Sequence, residues 1–129
     1  MKTILSVFFI LLFNSVLFAN DIVDDISNAI RSGNAAAISK YFDDNVDLKV
    51  IDKENVYSKA QAELILKDFF AKNTPKSFTV LHKGVSKNGA EYIIGTVETS
   101  NKKYRSYFLL KRVNEKTYIQ QLRFEPESK

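Results

Sequence analysis

The chain holds a single histidine, His82, the side chain whose ordinary pKa lies nearest neutrality. A general base there would need an acid to orient the ring. No motif sets a carboxylate beside it, so a packed or rim histidine is the simpler reading. A zinc shell is not written here either, because one histidine and no cysteine fall short of a tetrahedral ligand set. The run Asp43-Asp44-Asn45-Val46-Asp47 invites a calcium reading. It lacks the register, glycine and distal glutamate of a calcium loop, and turn and cap chemistry accounts for it. Tyr41, Tyr92, Tyr104, Tyr107 and Tyr118 could line a pocket with hydroxyls, although tyrosine is also a good strand residue with one wet end. The expected ligand-binding set is Tyr41, His82, Tyr92, Tyr107 and Gln120, with no catalytic residue, no metal ligand and no cofactor assigned. A phosphate-cradling glycine loop, a nucleophile-elbow serine and paired carboxylates are all missing from the sequence.

Those residues need elements to hold them. Asn20 or Asp21 can cap a first helix in which Ile22, Ile26 and Ile30 recur every fourth residue, giving an apolar stripe. Gly33 suits the left-handed position that ends it. A second helix is expected over about 35–42, burying Ile38, Tyr41 and Phe42, with Asp43-Asp44-Asn45 breaking it. Val46, Leu48 and Val50 alternate with Asp47, Lys49 and Ile51, the pattern of a half-buried strand. A turn at Asp52-Lys53-Glu54-Asn55 lets Val56-Tyr57 pair back. Ser58 and Gln61 form a capping box for a helix that buries Ala62, Ile65, Leu66, Phe69 and Phe70.

Four strands follow. Phe78, Val80 and His82 share one face of the first by simple alternation. Asn88-Gly89 is the strongest hairpin signal in the chain. Tyr92–Thr99, Tyr104–Val113 and Thr117–Glu125 complete the run, the last placing Tyr118, Gln120, Leu122 and Phe124 on one face. Short turns make consecutive strands antiparallel. The expected class is α+β: an antiparallel sheet packed against three helices of the N-terminal half, in the order α-α-β-β-α-β-β-β-β.

The first 19 residues read as a secretory leader: Lys2, an apolar run from Ile4 to Phe13, and Ala19 before a polar Asn20-Asp21. That run is short of the roughly 20 apolar residues a spanning helix needs. Residues 20–129 are then a single domain, exported to the periplasm or outside the cell, and free of the membrane once the leader is cut. Without cysteine, neither disulfides nor a lipid-modified N-terminal cysteine can form. Residues 20–57 carry eight acids against four bases, and residues 100–129 carry eight bases against three acids. Complementarity between the two ends and solvated strand faces explain this split. Lys102-Lys103-x-Arg105 and Lys111-Arg112 fit charges that keep exposed strands from pairing with other chains. No nucleic-acid partner is expected.

The Ile-rich first helix ending in Arg31-Ser32-Gly33-Asn34, continued by Ala37-Ile38-Ser39-Lys40-Tyr41-Phe42 and an acidic Asp43-Asp44-Asn45, resembles the start of the nuclear-transport-factor-two-like (cone-fold) superfamily. The chain is most similar to an exported bacterial domain-of-unknown-function family, number 4783, over essentially all of residues 21–126. The resemblance implies a cone-like curved antiparallel sheet closed on one side by the helices, with any pocket between them. It implies no single activity, since such folds carry many. The expectation is a non-catalytic module that binds a small apolar or amphipathic ligand or a protein partner. The alternatives are a small isomerase- or hydrolase-like enzyme using the concave pocket, and a self-associating unit forming a homodimer through the sheet.

Overall fold

The computed structural model describes residues 19–127. The expected leader, residues 1–19, lies outside them except for Ala19. Helix α1 spans Ala19–Arg31, so Asn20 and Asp21 lie inside it and do not cap it. Its stripe is as the spacing predicts: Val23, Ile26, Ala29 and Ile30 are buried. Full burial of each branched residue contributes about 1.5–3 kcal/mol. Gly33, at φ +66, ends the helix. Its N–H donates to Ile30 O and that of Asn34 to Ala29 O, the paired bonds of a Schellman close. Asn34 then caps α2 (Ala35–Ser39) by accepting from the Ala37 N–H.

That second helix is shorter than the spacing predicts, because Phe42 already belongs to β1 (Phe42–Val50). Asp43-Asp44-Asn45 is an excursion of this strand, not a break before it. The ladder to the last strand jumps from Phe42 to Asp47, so the polar run bows away from that neighbour. The following turn is also tighter than expected. Ile51 and Asp52 alone connect β1 to β2 (Lys53–Ser58). Ile51 sits at φ +62, a region a β-branched residue rarely enters; its N–H is held by Phe124 O at 2.8 Å.

The Ser58–Gln61 capping box opens α3 (Lys59–Lys72), which buries Ala62, Leu66, Phe69 and Phe70. Strands β3 (Pro75–Val85), β4 (Glu91–Thr99), β5 (Lys103–Val113) and β6 (Lys116–Pro126) follow. The sheet order is β2-β1-β6-β5-β4-β3. Every ladder is antiparallel except β1 with β6, which is parallel. The sheet is therefore mixed rather than wholly antiparallel. Local turns dictate the antiparallel pairs. The parallel one joins strands distant in sequence, and only tertiary packing sets it.

All three helices cover one sheet face. There Phe69 meets Phe124 and Tyr104 at ring-centroid distances of 5.2 and 5.1 Å. A polar knot ties the end of α3 to the β4–β5 hairpin. Asn73 Oδ1 accepts from Tyr104 Oη at 2.9 Å and from Asn101 Nδ2 at 2.8 Å, and Asn73 Nδ2 donates to Phe69 O. Burial pushes the Tyr104 hydroxyl pKa above its ordinary value.

Candidate functional site

The space where a cone fold would hold a pocket is occupied. Phe42, Phe108, Phe124, Ile93, Ile119 and Leu122 point into it and are completely buried. The expected binding residues are elsewhere, and for His82 and Gln120 two extra residues in the strands explain why.

In β3 the register with β4 runs Val80↔Gly95 and then His82↔Ile94, so Leu81 is a bulge residue. A bulge reverses the alternation that follows it. Phe78 stays on the helix-covered face, buried, whereas His82 emerges on the opposite, open face, where Leu81 is also 56% exposed. The expectation that His82 shares a face with Phe78 and Val80 is corrected accordingly. In β6 the register passes from Gln121↔Leu109 to Ile119↔Leu110, so Gln120 is the extra residue. Ile119 turns inward in its place and Gln120 is exposed. It does not share the Leu122 and Phe124 face. Alternation read from sequence carries no warning of either bulge.

The open face gathers three of the expected residues. His82, Tyr92 and Tyr107 stand in a row across β3, β4 and β5, with ring centroids 5.7 Å apart for the first pair and 6.4 Å for the second. The two tyrosine rings are nearly parallel, at 18°. Tyr92 Oη lies 3.4 Å from His82 Nε2. Gly84 makes room for this arrangement. It pairs with Tyr92 across the ladder, and a Cβ on it would fall 2.5 Å from the ring's Cζ. The ring therefore lies against the strand instead of standing off it, a cross-strand tyrosine–glycine packing. Glycine inside a strand is a sequence signal for close approach, but it does not say what approaches.

Ile94 and Leu109 are half-buried on the same face, from the ladder Ile94↔Tyr107 and Tyr92↔Leu109. Around this apolar centre lie three ion pairs, Lys49–Glu125 at 3.0 Å, Arg123–Glu54 at 3.2 Å and Arg105–Glu127 at 3.4 Å. Each is solvent-exposed enough to contribute at most about 1 kcal/mol. They leave these three cations already matched.

The other two expected residues stand apart. Tyr41, between α2 and β1, donates to Asp25 Oδ2 at 3.1 Å and lines a shallow groove of about 390 Å³ between α1 and α2. Partial burial raises its hydroxyl pKa, helped by the hydrogen bond to Asp25 and that carboxylate's charge. Gln120 joins neither group. Among the described residues no carboxylate hydrogen-bonds His82, and no group of three His, Asp or Glu side chains could hold a metal. No described helix is long and apolar enough to cross a membrane.

Comparisons with known proteins fit this architecture. A family model described as "Domain of unknown function (DUF4783)" matches residues 23–125. A crystal structure of a DUF4783 protein from Bacteroides uniformis is 28% identical, with a TM-score of 0.78, covering 84% of this chain and 100% of that one. A second, from Bacteroides ovatus, is also 28% identical, with a TM-score of 0.75 and coverage of 81% and 94%. A designed protein of the nuclear-transport-factor-two type with a long sheet is 19% identical, with a TM-score of 0.67 and coverage of 83% and 99%; that likeness concerns fold alone. No curated protein matches. The element order, the sheet wrapped on three helices and the family match together place the chain in the DUF4783 family, with the nuclear-transport-factor-two-like cone fold.

Proposed function

We propose that the chain is a non-catalytic binding module whose working surface is the open face of the sheet. The observation that carries this reading is the His82–Tyr92–Tyr107 row, set on a face that no described helix covers. Exposed apolar area of this kind is a liability in a soluble protein unless something uses it. Tyrosines serve such surfaces well, giving large contact area for little lost freedom and keeping a hydroxyl for orientation. A ligand with a flat apolar face and a polar edge, or a protein partner with an apolar centre, matches these groups. A hydrolase or isomerase gains no support, because His82 faces away from the helix-lined interior and its hydrogen-bond neighbour is a tyrosine.

The test compares the parent with Tyr92→Ala/Tyr107→Ala. Amphipathic ligands are screened by thermal shift and native mass spectrometry, and association is followed by sedimentation. A ligand at about one hundred times its Kd adds about 2.7 kcal/mol to stability, and the double variant should lose that gain. Dimerisation abolished by the same variant would identify a second copy as the occupant. A ligand shift or dimer that the double variant retains would refute the open face as the working surface.

A further inference from the structure

We infer that Asn88 is a built-in chemical modification site, a place where the β3–β4 hairpin converts its own side-chain amide into aspartate and isoaspartate. The turn runs over 86–90, closed by Ser86 N–H donating to Ala90 O and Gly89 N–H donating to Ser86 O. Asn88 and Gly89 are both exposed at its tip. Gly89 is at φ +88, and a Cβ built there would meet nothing within 4 Å beyond its two chain neighbours, so the Gly89 side of the bond is open among the described residues. The Ser86 hydroxyl lies 2.7 Å from Asn88 Oδ1, where it can donate to that oxygen.

That last contact distinguishes this site from an ordinary surface asparagine. In the reaction the Gly89 backbone nitrogen gives its proton to water and bonds to Asn88 Cγ, pushing the carbonyl electron pair onto Oδ1. As that pair returns, the Cγ–Nδ2 bond breaks and the nitrogen leaves as ammonia, protonated by water. Water then opens the five-membered imide at either carbonyl, giving aspartate or isoaspartate. A donor already placed on Oδ1 stabilises the charge that develops there, as the donors of an oxyanion hole do. The bond from the Gly89 N–H to Ser86 O must open first, which a solvent-exposed hairpin tip permits. The product lowers the formal net charge by one, from +4 to +3. Isoaspartate also lengthens the backbone path of the turn that sets Gly84 opposite Tyr92.

The experiment incubates the purified full chain in heavy-oxygen water at mildly alkaline pH and follows every asparagine by peptide mass spectrometry and isoaspartyl methylation. Asn88 should take up label before any other asparagine. Ser86→Ala should slow it by about two- to tenfold, the span of one neutral hydrogen bond. Ser86→Thr, which keeps the hydroxyl, should retain the parent rate. In urea the difference between parent and Ser86→Ala should vanish, since the contact belongs to the folded turn. Asn88 converting no faster than the other asparagines would overturn the inference. So would a folded Ser86→Ala that matches the parent.

Discussion

Gly84 and Gly95 lie on neighbouring strands, and both are crowded, but alanine should separate them sharply. At Gly95 a Cβ would fall 2.6 Å from Thr79 O and 2.7 Å from two atoms of the Phe78 ring. The first is backbone of the adjacent strand. The second belongs to a side chain that is only 4% exposed. Neither can retreat freely, so the ladder or the core must move. Overpacking of this kind costs about 1–3 kcal/mol, offset by about 0.4–1 kcal/mol from the stiffer unfolded chain. The net expectation for Gly95→Ala is a loss of about 1–2 kcal/mol. For a domain of this size each kcal/mol moves Tm by about 4–8 °C. At Gly84 the obstruction is the outer end of the Tyr92 ring, which is half-buried and free to swing toward solvent. Gly84→Ala should therefore stay within about 1 kcal/mol of the parent while displacing Tyr92 from His82. Urea unfolding measures the first effect. The His82 imidazole resonances in NMR, read with and without the substitution, measure the second. Equal stability losses at the two sites, or a neutral Gly95→Ala, would refute this account of which neighbours can yield.

Tyr104 should make stability fall in alkali. Its folded pKa is raised above the ordinary value of 10.0, so its contribution is complete below about pH 10 and is lost as pH climbs through the raised value. Tyr104→Phe should cost about 1 kcal/mol at neutral pH, by removing the bond to Asn73, and should flatten the alkaline decline seen in urea unfolding. Tyr41, raised as well, supplies a residual slope. Ser106 is wholly buried, and its hydroxyl has no hydrogen-bond partner among the described residues. Ser106→Ala should leave stability unchanged or raise it by about 1 kcal/mol, and a clear loss in chemical denaturation would show that the hydroxyl has a partner. Glu115 sits at φ +72 in the two-residue β5–β6 turn. Glu115→Gly should relieve about 1 kcal/mol of left-handed strain, and a lower Tm in calorimetry would count against that reading.

Much of the architecture was legible because its causes are local. The four-residue spacing of Ile22, Ile26 and Ile30, the left-handed Gly33 and the Ser58–Gln61 box each act within one or two turns of chain. Their readings match the elements observed, and the resemblance built on their order leads to the family. The sequence pattern carries α2 too far because Tyr41 and Phe42 continue an apolar pattern that suits a helix or a strand equally. The pairing of β1 with β6, which needs Phe42 extended, decided between them.

The candidate site was legible only in its ingredients. The sequence by itself determined that tyrosines and one histidine would stand on the later strands, and that no cysteine chemistry was open to them. Which face they occupy was a tertiary decision. Alternation counts residues in steps of two, so a single extra residue, Leu81 in β3 or Gln120 in β6, reverses the face of its neighbours. The core sets where each extra residue goes. In β6 burying Ile119 outweighs keeping a strict two-residue period, and in β3 Phe78 stays buried while the residue after the bulge, His82, is left outside. The place of His82 in the row on the open face, and the separation of Gln120 from that row, both follow from this packing.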